Sequence, residues 1–284
     1  MTSKTLLTFI DQSDDVAIIK PIMDWVQTNN WHLTVQVIGI ASPSPYYVYA
    51  MSPYSGAVYP DDWHEQIEAE AKEVSEKVDE VESLLQKEGV NATVINSFCE
   101  KYSIEECVAG VAKISNLAVL SQGNKFSPDT HSRVIGGLLF RSPIALLVNM
   151  KNPVSSLSPK KIFIAWDSSL QASKAVHQAL PILFGAEEVT LGLFDPVMSE
   201  LIDGEDPGAD VAQWLSRQGC KITLQQYPSG GREIGEAIQK RAMEVGADLV
   251  VMGAFGHSRM RERIFGGTTQ SMLEQKDIPV LMVH

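Results

Sequence analysis

Short apolar runs alternate with amphipathic segments along the chain. Residues 5–10 form an apolar run that ends in Asp11, and residues 161–166 form a second run that ends in Asp167. Each run is followed by a segment with helical periodicity and then by another apolar run. Short apolar runs bounded by turn residues predict buried strands, and apolar positions at helical spacing predict amphipathic helices. The order strand, helix, strand is therefore predicted twice.

The later predicted elements of the two halves also correspond, and each last strand is introduced by a proline, Pro143 or Pro279. The corresponding pairs are helices 65–87 and 209–217, strands 91–97 and 221–227, helices 103–114 and 231–245, strands 117–120 and 248–252, and strands 144–148 and 280–283. Alternating helices and continuously apolar strands indicate a parallel sheet covered on both faces. The pattern predicts an α/β protein of two tandem, doubly wound, Rossmann-like domains, each with a five-stranded parallel sheet.

A segment rich in proline and serine, residues 150–159, is the expected linker between the halves. We place the boundary near Val154, with a first domain at 1–150 and a second at 158–284. Ligands of such sheets bind beyond the carboxyl ends of the strands. If the first strand of the second half lies beside its fourth, Asp167 and Gly253, which end these strands, flank one crevice.

The segment 250–269 contains the residues of this crevice that are candidates for ligand binding. An apolar strand runs into Gly253, Gly256 follows, and Gly266 opens a predicted helix after nine further residues. Glycines at a strand-to-helix turn expose backbone N–H groups, and a helix N-terminus adds partial positive charge, so the segment predicts an anion cradle. A tight turn alone would also use glycines here. The segment also contains Arg259, Arg261 and Arg263, which suit either a phosphate clamp or a solvated face.

Composition excludes several function classes. The formal net charge of -12 and the pI near 4.9 argue against a nucleic-acid partner, which would need a basic surface. The sequence has neither a signal-peptide pattern nor the ~20 consecutive apolar residues of a membrane span, so we expect a cytoplasmic protein without a membrane partner. The spacing of Cys99, Cys107 and Cys220 predicts neither a disulfide framework nor a zinc site, and no metal site is expected.

These motifs resemble the universal stress protein family. The resemblance rests on a five-strand unit whose first strand ends in Asp167 and whose fourth runs into Gly-x-x-Gly, nine residues, and a further glycine. It covers nearly the whole chain, which is similar to a tandem two-domain member. In the nucleotide-binding branch, the acid contacts adenosine, the end of strand two lines the base pocket, and the glycine segment surrounds the phosphates. The resemblance thus implies an adenine-nucleotide site formed by Ala165, Asp167, Leu193, Met252, Gly253, Gly256, His257, Gly266, Gly267, Thr268 and Thr269.

The second half departs from the family motif at one position. The family usually has serine or threonine directly after the third glycine, whereas this chain has Gly267, with Thr268 and Thr269 following. Because each helical residue is rotated by about 100°, Thr268 does not simply replace that hydroxyl, although the backbone N–H groups remain.

The first half departs further. Gly123 follows its fourth strand, but Gly136 and Gly137 lie much closer to the following Pro143 than Gly266 lies to Pro279. We expect these two glycines to lie inside the last helix and the phosphate loop to be lost. This half also has a tyrosine- and proline-rich run at 42–60, which is equally consistent with a lid, an interface or a loop packed on its own sheet.

Three functions follow from the resemblance. The first is a stress-response regulatory protein that binds ATP, ADP or AMP, foremost ATP and with or without Mg²⁺, and catalyses at most slow hydrolysis or self-phosphorylation. The second is an interaction scaffold of the same family that binds no nucleotide. A true enzyme of the wider adenine-nucleotide α-hydrolase-like group is disfavoured, because its serine- and glycine-rich loop is absent after Trp166 and we identify no catalytic residues. Family dimers commonly pair through the last strand, so the halves are expected to form an internal pseudo-dimer, with a homodimer of chains as an open possibility.

Overall fold

Ten strands and nine α-helices follow one another in the part of the chain that the computed structural model describes, namely residues 4–43, 63–151, 153–196, 206–255 and 267–284. The predicted alternation of strands and helices is confirmed, and the mixed α/β fold has two successive sets of five strands. The tyrosine- and proline-rich run, apart from residues 42 and 43, lies outside the described residues.

The described part of the first half contains five strands, four α-helices and two short 3-10 turns. In chain order its elements are β1 (Thr5–Asp11), a 3-10 turn (Val16–Ile19), α1 (Lys20–Asn29), β2 (His32–Ala41), α2 (Trp63–Lys87), β3 (Ala92–Glu100), a second 3-10 turn (Lys101–Ser103), α3 (Ile104–Ala112), β4 (Leu117–Ser121), α4 (Pro128–Arg141) and β5 (Ala145–Met150). Gly136 and Gly137 lie inside α4, as predicted from the shortened segment.

The second half begins after a short helix in the segment predicted as the linker. Its elements are α5 (Pro153–Leu157), β6 (Lys161–Trp166), α6 (Leu170–Leu183), β7 (Glu188–Phe194), α7 (Ala209–Arg217), β8 (Ile222–Tyr227), α8 (Ile234–Glu244), β9 (Leu249–Gly253), α9 (Gly267–Glu274) and β10 (Val280–Val283).

The chain forms two compact units, one of residues 1–116 and 123–142 and the other of residues 117–122 and 143–284. In the first unit, the strands lie in the order β3-β2-β1 and are parallel. In the second unit, the order is β4-β5-β10-β9-β6-β7-β8, and the pairs are parallel except for the antiparallel pair of β5 and β10. The predicted doubly wound, Rossmann-like class is confirmed, while the domain boundary near residue 154 and the internal pseudo-dimer remain predictions.

The strands are continuously buried. The five interior residues of β1 are all buried, and so are the four interior residues of β6. A strand that is apolar on both faces can lie only where helices cover both faces of the sheet, which is the arrangement of doubly wound folds.

The three cysteines are free thiols. Burial, assisted by a hydrogen bond with Cys107, raises the pKa of the Cys99 thiol to about 12. Among the described helices, none is long and apolar enough to cross a membrane.

Gly192, in β7, leaves room for the ring of Phe163 on the neighbouring strand β6. A Cβ atom at Gly192 would lie 2.3 Å from Cζ of Phe163, a fully buried side chain. The Phe163 ring also packs near Phe194 and Tyr227, with centroid separations of 6.2 and 6.3 Å. The absence of a side chain at Gly192 therefore sets how closely the aromatic group packs on the sheet.

Replacing Gly192 with alanine is expected to lower the free energy of unfolding by about 1–3 kcal/mol, because a buried aromatic ring must shift in a packed core. Equilibrium urea unfolding measures the change. Gly110→Ala in α3 is the matched control, since a Cβ there meets nothing within 4 Å and a helical alanine gains up to about 1 kcal/mol over glycine. Equal stability of Gly192→Ala and the unmodified protein would contradict the packing role of this glycine.

Candidate functional site

The pairing of β6 with β9 brings two predicted site residues to one edge of the sheet. These strands are parallel neighbours, and Ala165 lies opposite Met252 in their register. The next residues along both strands therefore lead to the same edge, where β6 continues into Asp167 and β9 ends at Gly253. Adjacency of the acid and the glycine, predicted from the strand order of such folds, is thus present in the second unit.

Leu193 lies on the other side of β6, opposite Trp166 in the register of β6 and β7. Its side chain is buried, as are those of Ala165 and Met252. Because side chains alternate between the two faces of a strand, Ala165 and Met252 lie on one face of the sheet and Leu193 lies on the other, and none of the three offers a charge to a ligand.

Asp167 is held in a turn in front of α6. One of its carboxylate oxygens accepts a hydrogen bond from the Ser169 N–H at 3.0 Å, and Ser168 adopts a positive φ of 59°. The Ser169 hydroxyl in turn caps α6 by accepting the Ala172 N–H at 3.1 Å. Asp167 itself is exposed, so the turn presents a carboxylate at the edge of the sheet.

Gly253 is required by packing between a strand and a helix. A Cβ atom at this position would lie 2.5 Å from the backbone nitrogen of Ala172 and 2.7 Å from the carbonyl carbon of Gln171. Since both are backbone atoms in the first turn of α6, they cannot move aside cheaply. The glycine is therefore explained by the close approach of α6, without a ligand.

The two described ends of the glycine segment are tied together. Phe255, which has a positive φ of 63°, donates its N–H to Oγ1 of Thr269 at 3.1 Å. Thr269 is buried, with 4% of its surface exposed, so its hydroxyl serves this internal bond. His284 supports the same turn, because its Nδ1 donates to the carbonyl oxygen of Ala254 at 3.0 Å.

Gly267 and Thr268 open α9 and are more accessible than Thr269. Gly267 is exposed, and a Cβ atom there would meet nothing within 4 Å, while Thr268 is half-buried. The remaining predicted site residues, Gly256, His257 and Gly266, lie outside the described residues. The same holds for the three arginines at 259, 261 and 263.

A second carboxylate at this edge was missed by the sequence interpretation. Asp195 directly follows β7, has a positive φ of 46° and accepts the Ser229 N–H at 3.0 Å. The side-chain and backbone hydrogen bonds from Ser229 hold the pKa of the Asp195 carboxyl below its ordinary value. The dipeptide Asp195-Pro196 after an apolar strand is a turn signal that could have identified it.

The site is therefore electrostatically divided. Exposed carboxylates follow β6 and β7, and the N-terminus of α9 lies with the end of β9, through the bond from Phe255 to Thr269. Carboxylates accept hydrogen bonds from hydroxyl groups, whereas a helix N-terminus favours anions. Within the described ranges, no three histidine, cysteine or acidic side chains are grouped to hold a metal ion.

Comparisons with known protein sequences point to one family. Residues 229–284 match the model of the universal stress protein family. A universal stress protein of Synechocystis sp. is 46% identical to this chain over 67 residues. That match covers 24% of this chain and 22% of the curated relative, so the chain spans only this fraction of the relative's length.

Solved structures extend the likeness to nearly the whole chain. A universal stress protein from Archaeoglobus fulgidus DSM 4304 aligns with 98% of this chain and 95% of its own, with a TM-score of 0.63 and 14% identity. A protein from Pseudomonas aeruginosa PAO1, described as functionally unknown, aligns with 99% of this chain and 92% of its own, with a TM-score of 0.57 and 15% identity. At these identities, the likeness establishes the shared fold.

Replacing Thr269 with valine, which has the same shape without the hydroxyl, is expected to lower the free energy of unfolding by about 1–3 kcal/mol, since the Phe255 N–H loses its acceptor. The control Thr268→Val removes a hydroxyl from the adjacent, less buried position and should change stability by less than about 0.5 kcal/mol. Chemical denaturation of both variants gives the comparison. Equal losses in the two variants would show that the bond from Phe255 to Thr269 does not stabilise the turn.

Proposed function

We propose that this chain is a member of the universal stress protein family and that its second half binds an adenine nucleotide at the edge formed by β6, β7 and β9. The principal support is the adjacency of β6 and β9, with Ala165 opposite Met252. Because of this pairing, Asp167 and the end of the glycine segment at Gly253 belong to one edge. One nucleotide can contact Asp167 through a sugar hydroxyl and the glycine segment through a phosphate only if these two parts of the chain lie at the same edge.

The polarity of the edge supports a specific orientation of the nucleotide. We assign the adenosine to the side of Asp167, where a carboxylate can accept hydrogen bonds from sugar hydroxyls. The phosphates are assigned to the side of β9 and α9, where backbone N–H groups and the helix N-terminus favour negative charge. The reverse orientation would bring phosphate oxygens towards the exposed carboxylates of Asp167 and Asp195 and would be repulsive.

We propose one nucleotide for each chain, because the corresponding segment of the first half is part of a helix. Gly137 lies in α4 against α3, where a Cβ atom would be 2.6 Å from the Glu105 carbonyl oxygen. Glycine is used there for close helix packing, and backbone N–H groups in the middle of a helix are bonded within the helix.

The proposed role is regulatory binding, with ATP as the first ligand to test. The described part of the edge provides carboxylates and backbone donors, and these groups bind and orient a nucleotide. Hydrolysis, if any, is expected to be slow, and any Mg²⁺ would arrive with the phosphates.

A scaffold that binds no nucleotide is the alternative, and one observation favours it. Gly253 and Thr269, two residues of the family motif, are both explained by internal contacts, with the backbone of α6 and with Phe255 respectively. A chain that kept these residues for its fold alone would retain the same part of the motif.

Nucleotide retention separates the two functions. We expect protein purified without added nucleotide and then denatured to release an adenine nucleotide, detected by chromatography and absorbance, or the emptied protein to bind ATP by calorimetry. Asp167→Asn should weaken ATP binding by about 10-fold or more, because a hydrogen bond to a charged group contributes about 1.5–3 kcal/mol. Asp11→Asn, the equivalent change in the first half, is the control and should leave ATP affinity unchanged. No retained nucleotide together with no binding of millimolar ATP would favour the scaffold.

Gly267→Ser tests the departure from the family motif. The position is exposed and has open space around its missing Cβ, so a hydroxyl fits without rearrangement. We expect ATP affinity to increase by roughly 2- to 10-fold, the gain from one added neutral hydrogen bond. Gly267→Ala has the same effect on the backbone without the hydroxyl and should give no gain. An equal affinity for ATP in the serine and alanine variants would show that a hydroxyl here does not reach the phosphates.

A further inference from the structure

Asp14 is a buried carboxylate in the first unit, with 2% of its surface exposed. One oxygen accepts the backbone N–H of Lys125 at 2.7 Å. The other accepts the backbone N–H of Asp11 and the side-chain amide of Asn124, both at 2.8 Å. An ionised carboxylate is costly to bury unless it is well bonded, and here three donors from two separate loops surround it.

Two lysines bond to the main chain of the loop that carries this carboxylate. Lys77, from α2, donates through Nζ to the carbonyl oxygen of Asp14 at 2.8 Å. Lys125 donates through Nζ to the carbonyl oxygen of Ser13 at 3.0 Å. Backbone N–H groups, an amide and nearby ammonium groups are the donors with which proteins bind small oxyanions.

The site lies at the position of the first half that corresponds to the start of the glycine segment in the second half. Asn124 and Lys125 follow Gly123 just as Ala254 and Phe255 follow Gly253 in the other half. Asp11 also forms the same turn as Asp167, since its carboxylate accepts the Ser13 N–H at 2.9 Å. After that turn, however, the first half has a longer path to its helix cap, which is Asp15 instead of the equivalent of Ser169. Asp14 lies in this additional stretch.

The space beside Gly39, near the end of β2, is also filled by side chains of the first unit. A Cβ atom on Gly39 would lie 2.1 Å from Cγ2 of Val74 and 3.1 Å from Oε1 of Gln12. The side chain of Val74, from α2, is fully buried there. The edge of the first unit is thus occupied by two of its own side chains, the apolar Val74 and the carboxylate of Asp14.

We infer that the first unit contains an oxyanion site, formed by the backbone N–H groups of Asp11 and Lys125 and the amide of Asn124, that the Asp14 carboxylate permanently occupies. The ligand class of the vacated site is a small carboxylate or another compact oxyanion. The internal anion links the loop after β1 to the loop after Gly123, and it makes the first unit independent of an external ligand. This inference concerns the first unit only, so its outcome is separate from nucleotide binding by the second half.

Chemical rescue tests the inference on the full-length chain. Asp14→Ala removes the carboxylate and leaves space of the size of formate. We expect its thermal unfolding midpoint to fall by roughly 6–15 °C in sodium chloride, because the buried donors lose their acceptor. Sodium formate at the same ionic strength should restore a substantial part of that loss, with saturation at increasing formate concentration. Asp15→Ala, which removes the adjacent exposed carboxylate, is the control and should respond equally to formate and chloride.

Asp14→Asn provides a second variant in which the space remains filled. It should be destabilised, because the asparagine side chain has a donor where Asp14 had an acceptor, and formate should not rescue it. Amide hydrogen exchange of Lys125 should be protected in the unmodified protein and faster in Asp14→Asn, a readout that remains available if Asp14→Ala does not fold. The inference is overturned if Asp14→Ala is as stable as the unmodified protein, if formate and chloride affect it equally, or if Lys125 exchange is the same in Asp14→Asn.

Discussion

The parallel pairing of β6 with β9 is the constraint on which the candidate site depends. Parallel strands end at the same edge, so a residue after one strand becomes a spatial neighbour of a residue after the other, however far apart they are in sequence. Here the pairing joins Asp167 to Gly253, which more than eighty intervening positions separate in the chain. The paired strands are apolar on both faces and must be covered by helices on both sides, which is the arrangement of doubly wound folds. The chemistry at the edge is thus positioned by residues that contact no ligand.

The elements and the parallel sheet could be predicted from the alternation of apolar and amphipathic segments, and the adjacency of Asp167 and Gly253 was conditional on the first and fourth strands being neighbours. The structural role of each individual residue could not be predicted in this way. From the sequence, Gly253 suits either the close approach of a phosphate or a tight turn, whereas in the structure the first turn of α6 already excludes a side chain there. The bond from Phe255 to Thr269 depends on where α9 begins in space. Periodicity gives no information on such a distance, since it fixes only which face of an element is buried.

The two halves use equivalent backbone positions with different acceptors. The N–H of Lys125 is satisfied by the Asp14 carboxylate, and the N–H of Phe255 by the Thr269 hydroxyl. In both cases, a part-buried N–H after the fourth strand requires a partner, because an unsatisfied N–H is costly. The first half meets the requirement with a charged group from the loop after its first strand, and the second meets it with a neutral group from its last helix. Both halves therefore have an N–H group at this position that needs an acceptor, and each half supplies the acceptor from a different element.

The bond between Phe255 and Thr269 also has a consequence for the thermodynamics of recognition. It holds the two ends of the intervening segment close together in the folded protein, so most of the entropy of closing that loop is lost on folding. A ligand that contacts the segment does not have to supply the free energy for bringing its ends together. The free energy of each ligand contact can then appear as affinity, which is the benefit of preorganisation.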